Sequence, residues 1–174
     1  MQEIATKLLG SKLPGFLEKL GSGLLDADDY RGDLTVVVMP EKTRDAIQYL
    51  KHESSPRFEV LMDLFAVDYL KYQPPTPERF AVIYNLVSLS QKRRVRLKVY
   101  LPDPYPEIDS IHDLFASANW FEREAFDLYG IGFRGHPNPI RILCHGDFEG
   151  HPLRKDYPSD GYQRLKTAAP PSDF

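Results

Sequence analysis

Cysteine, long apolar runs and glycine-rich phosphate motifs are all scarce in this 174-residue sequence, and each shortage removes a class of function. No uninterrupted apolar stretch approaches the ~20 residues that a membrane-spanning helix needs, so membrane contact is expected only through other proteins. A single cysteine, Cys144, excludes an internal disulfide framework and fits a reducing compartment. His136, Cys144, His145 and His151 fall close together, yet neither a C-x-x-C pair nor an H-x3-H spacing accompanies them. They are therefore not read as a metal site, and Cys144 alone is read as a small apolar residue. Gly-x-Gly-x-x-Gly and P-loop sequences are missing, so the chain carries no nucleotide cradle of its own. Positive charge is not in excess either: 22 Lys and Arg against 25 Asp and Glu leave a formal net charge of −3, the wrong sign for a general nucleic-acid binder. The start, MQEIATKLLG, lacks the charged-then-apolar pattern of a signal peptide, and Glu3 sits badly in a transit peptide.

What is present suffices for one compact domain. Hydrophobic residues make up 42% and charged residues 27%, ordinary values for a chain with a real core. Residues 3–20 carry Ile4, Leu8, Leu9, Leu13, Phe16, Leu17 and Leu20, which predicts two short amphipathic helical pieces broken near Gly10 and Pro14 and closed by Gly21. A polar loop holding Asp26, Asp28, Asp29 and Gly32 then leads to a buried strand over Thr35 to Val38. EKTRDAIQYLKH places Ala46, Ile47 and Leu50 on one helical face. Phe58 to Leu70 is apolar enough for a helix or a strand, and we read a strand over its second half.

The clearest pattern comes next. In RVRLKVYL, Val95, Leu97, Val99 and Leu101 alternate with Arg94, Arg96, Lys98 and Tyr100, so aliphatics face the core and cations the other side. Together with FAVIYNLVSL this predicts a hairpin at one edge of a sheet. After the turn-rich LPDPYPEID, a helix is expected from Ser110, with Asp113 in capping-box spacing, through Phe121 and Leu128 to a stop at Gly130. The fold class is α+β: a mixed or antiparallel sheet with helices packed on it, residues 1–157 forming the domain. Residues 158–174, polar and proline-bearing, are expected to be an extended or disordered tail.

Candidate chemistry concentrates in NWFEREAFDLYGIGFRGHP, residues 119–137. On a helix Arg123 and Asp127 are neighbours at i,i+4, and Glu124 and Asp127 at i,i+3. Glu122 lies near the apolar stripe, where a buried carboxylate needs a donor. An acid–base pair is conceivable, because burial beside a second carboxylate raises a carboxyl pKa. A charge network that fixes the helix to the segment after it is the better reading. The unit Phe133-Arg134-Gly135-His136-Pro137 recurs as Phe148-Glu149-Gly150-His151-Pro152, which suggests one extended backbone shape used twice. The cations Lys92, Arg93, Arg94, Arg96 and Lys98 are read as a solvated sheet face. Arg154, Lys155, Asp156 and Tyr157 have the composition of an interface anchor.

The run NWFEREAFDLYGIGFRGHP, then RIL and GHPLRKDYP, with LMDLFAVDY and YNLVSLSQKRRVRLKVYLPD before it, closely resembles the C-subunit family of bacterial proton-pumping NADH:quinone oxidoreductase, a core family of respiratory complex I. The resemblance covers roughly residues 33–157. It implies a non-catalytic core component of the peripheral arm, at the cytoplasmic face of the bacterial inner membrane, with no catalytic, cofactor or metal residues of its own. FMN, iron–sulfur clusters and quinone are then expected in partner subunits. The implied partners are the large hydrogenase-like subunit that forms the quinone site and the neighbouring iron–sulfur subunits, and no nucleic acid. Carried onto this chain, Glu122, Arg123, Glu124 and Asp127 become the network of the signature helix. His136, Pro137, Arg141, His151, Pro152, Arg154, Lys155, Asp156 and Tyr157 become the stretch that docks on the partner. The alternative is the equivalent subunit of a membrane-bound hydrogenase, a formate hydrogenlyase or a deazaflavin-dependent dehydrogenase complex.

Overall fold

A computed structural model describes residues 2–161 and 163. Its main sheet has five strands: β1 (Leu24–Tyr30), β2 (Asp33–Val38), β3 (Val60–Asp68), β4 (Phe80–Ser88) and β5 (Arg93–Leu101). They lie in the order β1-β2-β5-β4-β3. All neighbours are antiparallel except β2 and β5, which are parallel. The sheet is therefore mixed, as an α+β reading requires. The helices are α1 (Gln2–Lys12), α2 (Phe16–Leu20), α3 (Thr43–His52) and α4 (Ala118–Tyr129), and two short strands, β6 (Glu107–Asp109) and β7 (Gly132–Arg134), pair in parallel. No helix among the described residues is long and apolar enough to cross a membrane.

The alternation in β5 is realised: Val95, Leu97, Val99 and Leu101 are buried while Arg94 and Arg96 are exposed. The β4–β5 hairpin, however, sits in the centre of the sheet and not at an edge, since β2 flanks β5 and β3 flanks β4. Alternation reports the two faces of a strand and says nothing of its lateral neighbours. The near-continuous apolar run in β4 is the better guide, because a central strand is buried on both sides. Phe80, Val82, Tyr84 and Leu86 point to a core shared with Leu9, Phe16, Ile47 and Leu50 of the helices.

Three further expectations need correction. Gly10 does not break the first helix, which runs to Lys12. The break falls at Pro14, which lacks an N–H and disfavours helical backbone in the residue before it. The polar stretch Asp26 to Tyr30 is a strand, not a loop. As the edge strand of the sheet it buries only Leu24 and Ala27, and its aspartates blunt an edge that would otherwise invite pairing. The helix expected from Ser110 begins at Ala118. Ser110 to Ser117 forms turns, tied by Leu114 and Phe115 N–H to the Ile111 carbonyl at 2.9 Å each, and Ser110 is drawn to another partner. Most of the tail expected over 158–174 lies outside the described residues. Gln163 is described, and its side chain donates to the Glu149 carbonyl (2.6 Å) and the Tyr157 hydroxyl (2.8 Å).

Candidate functional site

α4 carries the acidic cluster. Glu122 is 1% exposed and finds the donors that its burial demands: Ile111 N–H at 2.7 Å on one oxygen and the Ser110 hydroxyl at 2.5 Å on the other. Burial outweighs these two donors and lifts its pKa to about 7. His136 Nε2 lies 3.9 Å from the same carboxyl. Its ring accepts Asn138 N–H at Nδ1 (3.1 Å) and donates from Nε2 to the Asn119 carbonyl (3.2 Å). That pattern requires the neutral Nε2–H tautomer, in agreement with burial pushing the imidazole pKa down. The Glu122–His136 approach is thus a polar contact and not an ion pair at neutral pH.

From Gly135 the chain turns back along α4 as a strap, bonded to the helix step by step. Arg123 donates to the Ile140 carbonyl (3.1 Å) and the Arg141 carbonyl (3.3 Å). Asp127, with no side-chain exposure, pairs with Arg141 at 2.7 Å. Its other oxygen accepts three successive N–H groups, from Ile142 (2.9 Å), Leu143 (2.8 Å) and Cys144 (2.8 Å). Burial alone would raise this carboxyl; the three amides and the guanidinium overcome it and hold the group well below the usual carboxylate range.

The strap also completes the end of the helix. The last four carbonyls of a helix have no intrahelical donor, and here each finds one outside it. Gly130 N–H takes Phe126 (2.8 Å), His151 Nδ1–H takes Asp127 (2.9 Å), Leu153 N–H takes Leu128 (3.0 Å) and Arg154 Nε–H takes Tyr129 (2.6 Å). Arg141 and Arg154 place cations at the negative end of the helix dipole. Gly130 makes this closeness feasible. Its φ is +72°, and a Cβ there would stand 2.5 Å from His151 Nε2 and 2.8 Å from an Arg154 terminal nitrogen.

The strap is then fastened to the sheet. Asp68, at the end of β3, accepts Arg79 Nε–H (3.1 Å) and Nη2–H (2.9 Å) and the N–H groups of Leu70 (2.9 Å) and Lys155 (2.8 Å). Arg79 also reaches Asp103 at 3.0 Å and Asp156 at 2.7 Å. The guanidinium thus bridges three carboxylates from three parts of the chain.

Glu122 and Asp127 are network residues, but their partners differ from the helical neighbours that the spacing suggests. Arg123 takes strap carbonyls instead of Asp127, and Glu124 is exposed. His136, Arg141, His151, Arg154 and Asp156 all spend their polar groups on this chain's own body. Tyr157 stacks on Phe148 at 6.0 Å, Pro137 and the Lys155 side chain are exposed, and Pro152 is half-buried. The repeated Gly-His-Pro unit is one backbone shape used twice: Gly135 and Gly150 have φ of +81° and +87°, and each following histidine reaches a carbonyl of α4. Sequence spacing does not mark Asp68, Arg79 or Ser110 as site residues; the one signal is Asp68 interrupting an apolar run. Among the described residues no three His, Cys, Asp or Glu side chains converge on one point.

These features define an α+β domain closed by a strap bound to its own signature helix. Residues 36–163 match the family model described as "Respiratory-chain NADH dehydrogenase, 30 Kd subunit", and the chain belongs to that family. The NADH-quinone oxidoreductase C subunit of Geobacter sulfurreducens is 46% identical over 147 residues, covering 84% of this chain and 88% of the relative. Its namesake from Thiobacillus denitrificans is 46% identical, covering 84% of this chain and 75% of the relative. Among solved structures, the trypsin-resistant fragment (1-134) of Nqo5 aligns with a TM-score of 0.62 at 38% identity, over 70% of this chain and 93% of the fragment. A chain of the membrane-bound sulfane sulfur reductase, an archaeal respiratory membrane complex, aligns with a TM-score of 0.69 at 20% identity, over 95% of this chain and 96% of that one. At that identity the likeness is one of fold alone.

Proposed function

We propose that the chain is the C subunit of a proton-translocating NADH:quinone oxidoreductase, a scaffold in the peripheral arm that docks on the large hydrogenase-like subunit forming the quinone site. One observation carries the docking: the strap spends its polar groups inward and leaves Ile140, Leu143 and Leu153 outward, 54%, 64% and 44% exposed, near Trp120 at 57%. A rigid segment with inward bonds and outward apolar side chains is suited to bury against another protein at little ordering cost. Docking then falls to these side chains rather than to the charged residues beside them.

The buried carboxylates support a structural role, because Asp127 and Asp68 are saturated with donors and have no lone pair directed at an open cleft. Flavin, iron–sulfur clusters and quinone belong, in this reading, to the partner subunits, and the chain reaches the cytoplasmic face of the membrane through them. The C-subunit relatives favour this complex over a hydrogenase or sulfur reductase, whose likeness here is in fold only. Affinity capture of the tagged chain from its native membranes in mild detergent tests the proposal. Co-purification of the large hydrogenase-like subunit with flavin and iron–sulfur subunits is expected; recovery of the chain alone would contradict it.

A further inference from the structure

The end of the main sheet that carries the hairpin turns holds cations that the strap does not use. Because β2 and β5 run parallel, with Leu34 beside Val95, the β1–β2 turn and the β4–β5 turn lie at the same end. Arg31 in the first turn has φ +55° and Lys92 in the second has φ +52°; they are the only positive-φ residues besides glycine among those described. Holding a long side chain in that region costs about 1 kcal/mol or more, and both residues are basic. Each tip is fixed by a carboxylate. Asp29 accepts Gly32 N–H at 2.9 Å and pairs with Lys12, and Glu59 accepts Leu89 N–H at 3.1 Å and the Ser90 hydroxyl at 3.3 Å.

Between the tips lies a cavity of about 430 Å³ with Lys12, Lys92, Arg93 and Arg94 on its rim and the buried Leu34 and Phe58 in its floor. Asp33 is the one carboxylate in its lining. Arg93 donates to the Lys12 carbonyl at 3.5 Å, and no carboxylate among the described residues pairs with Lys92, Arg93 or Arg94. Farther along β5 the cations are occupied: Arg96 donates to Asn85 at 3.1 Å, and Lys98 lies over the rings of Tyr69 and Tyr100.

We propose that this cleft is a binding site for a phosphate-bearing anion, with Lys92, Arg93 and Arg94 on the phosphate and Leu34 and Phe58 against an apolar portion. The volume is that of a small-ligand pocket, and paired guanidiniums match phosphate oxygens in geometry as well as charge. The phosphate is that of a soluble ester or of a phospholipid headgroup, and the test separates the two. The full-length chain, isotope-labelled, is titrated with inorganic pyrophosphate at constant ionic strength while the amide signals of Gly32 and residues 92–94 are followed. In parallel, the chain is sedimented with phosphatidylcholine vesicles with and without phosphatidylglycerol.

Saturable shifts confined to the two turns are expected, weakened about tenfold by Arg94→Gln, the scale of one charge-assisted hydrogen bond. Lys71→Gln, away from the cleft, should leave the affinity unchanged. Sedimentation that requires phosphatidylglycerol and is lost in Arg94→Gln assigns the phosphate to a headgroup. Shifts that do not saturate, or binding to either probe that Arg94→Gln leaves intact, would overturn the proposal. No residue of the cleft belongs to the strap, so that failure would leave the proposed scaffold role untouched.

Discussion

The strap along α4 and the hairpin end of the sheet are both rich in charge, and they use it in opposite ways. Along the strap nearly every charged group meets a partner from a distant part of the chain: Asp127 with Arg141, Asp68 with Arg79, Arg154 with the Tyr129 carbonyl. At the hairpin end the carboxylates Asp29 and Glu59 shape the turns, and Lys92, Arg93 and Arg94 stay open to solvent. Buried charge tolerates no missing partner, whereas exposed charge is nearly free to keep or lose. The first region is therefore built for rigidity and the second for contact with something dissolved or adjacent.

Substitutions should expose that contrast, most strongly at the two saturated carboxylates. Asp127→Ala strands three amides and a guanidinium and is expected to cost about 3–5 kcal/mol. Arg79→Ala, which leaves Asp68 buried without its cation, belongs in the same range. Equilibrium denaturation checks both, and a loss below about 1 kcal/mol would mean that the strap contributes little to the fold. The Asp127 contribution also depends on pH. Its folded pKa lies below the unfolded one, so the stabilisation is complete above about pH 4 and disappears as pH falls through the folded value.

Gly130→Ala comes next, at about 1–3 kcal/mol, from its left-handed backbone and the close approach of His151 and Arg154. Partial retention of stability with weaker amide protection at Leu153 would locate the damage where the strap crosses the helix end. Glu122→Gln should act through pH. The folded pKa of about 7 exceeds the unfolded value of about 4.3, so the Glu122 contribution is full below the unfolded value and is lost as pH rises through the folded one. The parent should therefore lose stability relative to the variant between about pH 4 and pH 8, by an amount on the order of 2 kcal/mol. Comparing the two proteins cancels His136 and His151, whose lowered values act in the opposite sense. A flat difference across that range would rule out a buried, proton-holding carboxyl. At the hairpin end, Arg94→Gln should shift stability by no more than about 0.5 kcal/mol.

The same contrast explains how much of the molecule is legible in its sequence. The faces of β5, the stop at Gly130 and the need of Glu122 for a donor all follow from local spacing, because periodicity and capping are short-range effects. The partners of Asp127 and Asp68 do not. Helical spacing points Asp127 at Arg123, whereas the structure pairs it with Arg141 through an irregular strap whose path has no period. Asp26 to Tyr30 passes for a loop for a related reason: an edge strand need bury very little, so its sequence is almost as polar as a turn. Composition directs the search for docking residues to the charges, yet those charges hold the strap in place and leave its aliphatic side chains facing out.

The central claim, a strap held from inside so that its outer face can dock, is tested most directly by the double substitution Leu143→Ser and Leu153→Ser. Both side chains are exposed, so the purified variant should unfold within about 1 kcal/mol of the parent. Captured from membranes, it should bring down little or none of the large subunit that accompanies the parent. A variant that keeps its stability and still recovers the full complex would contradict the account.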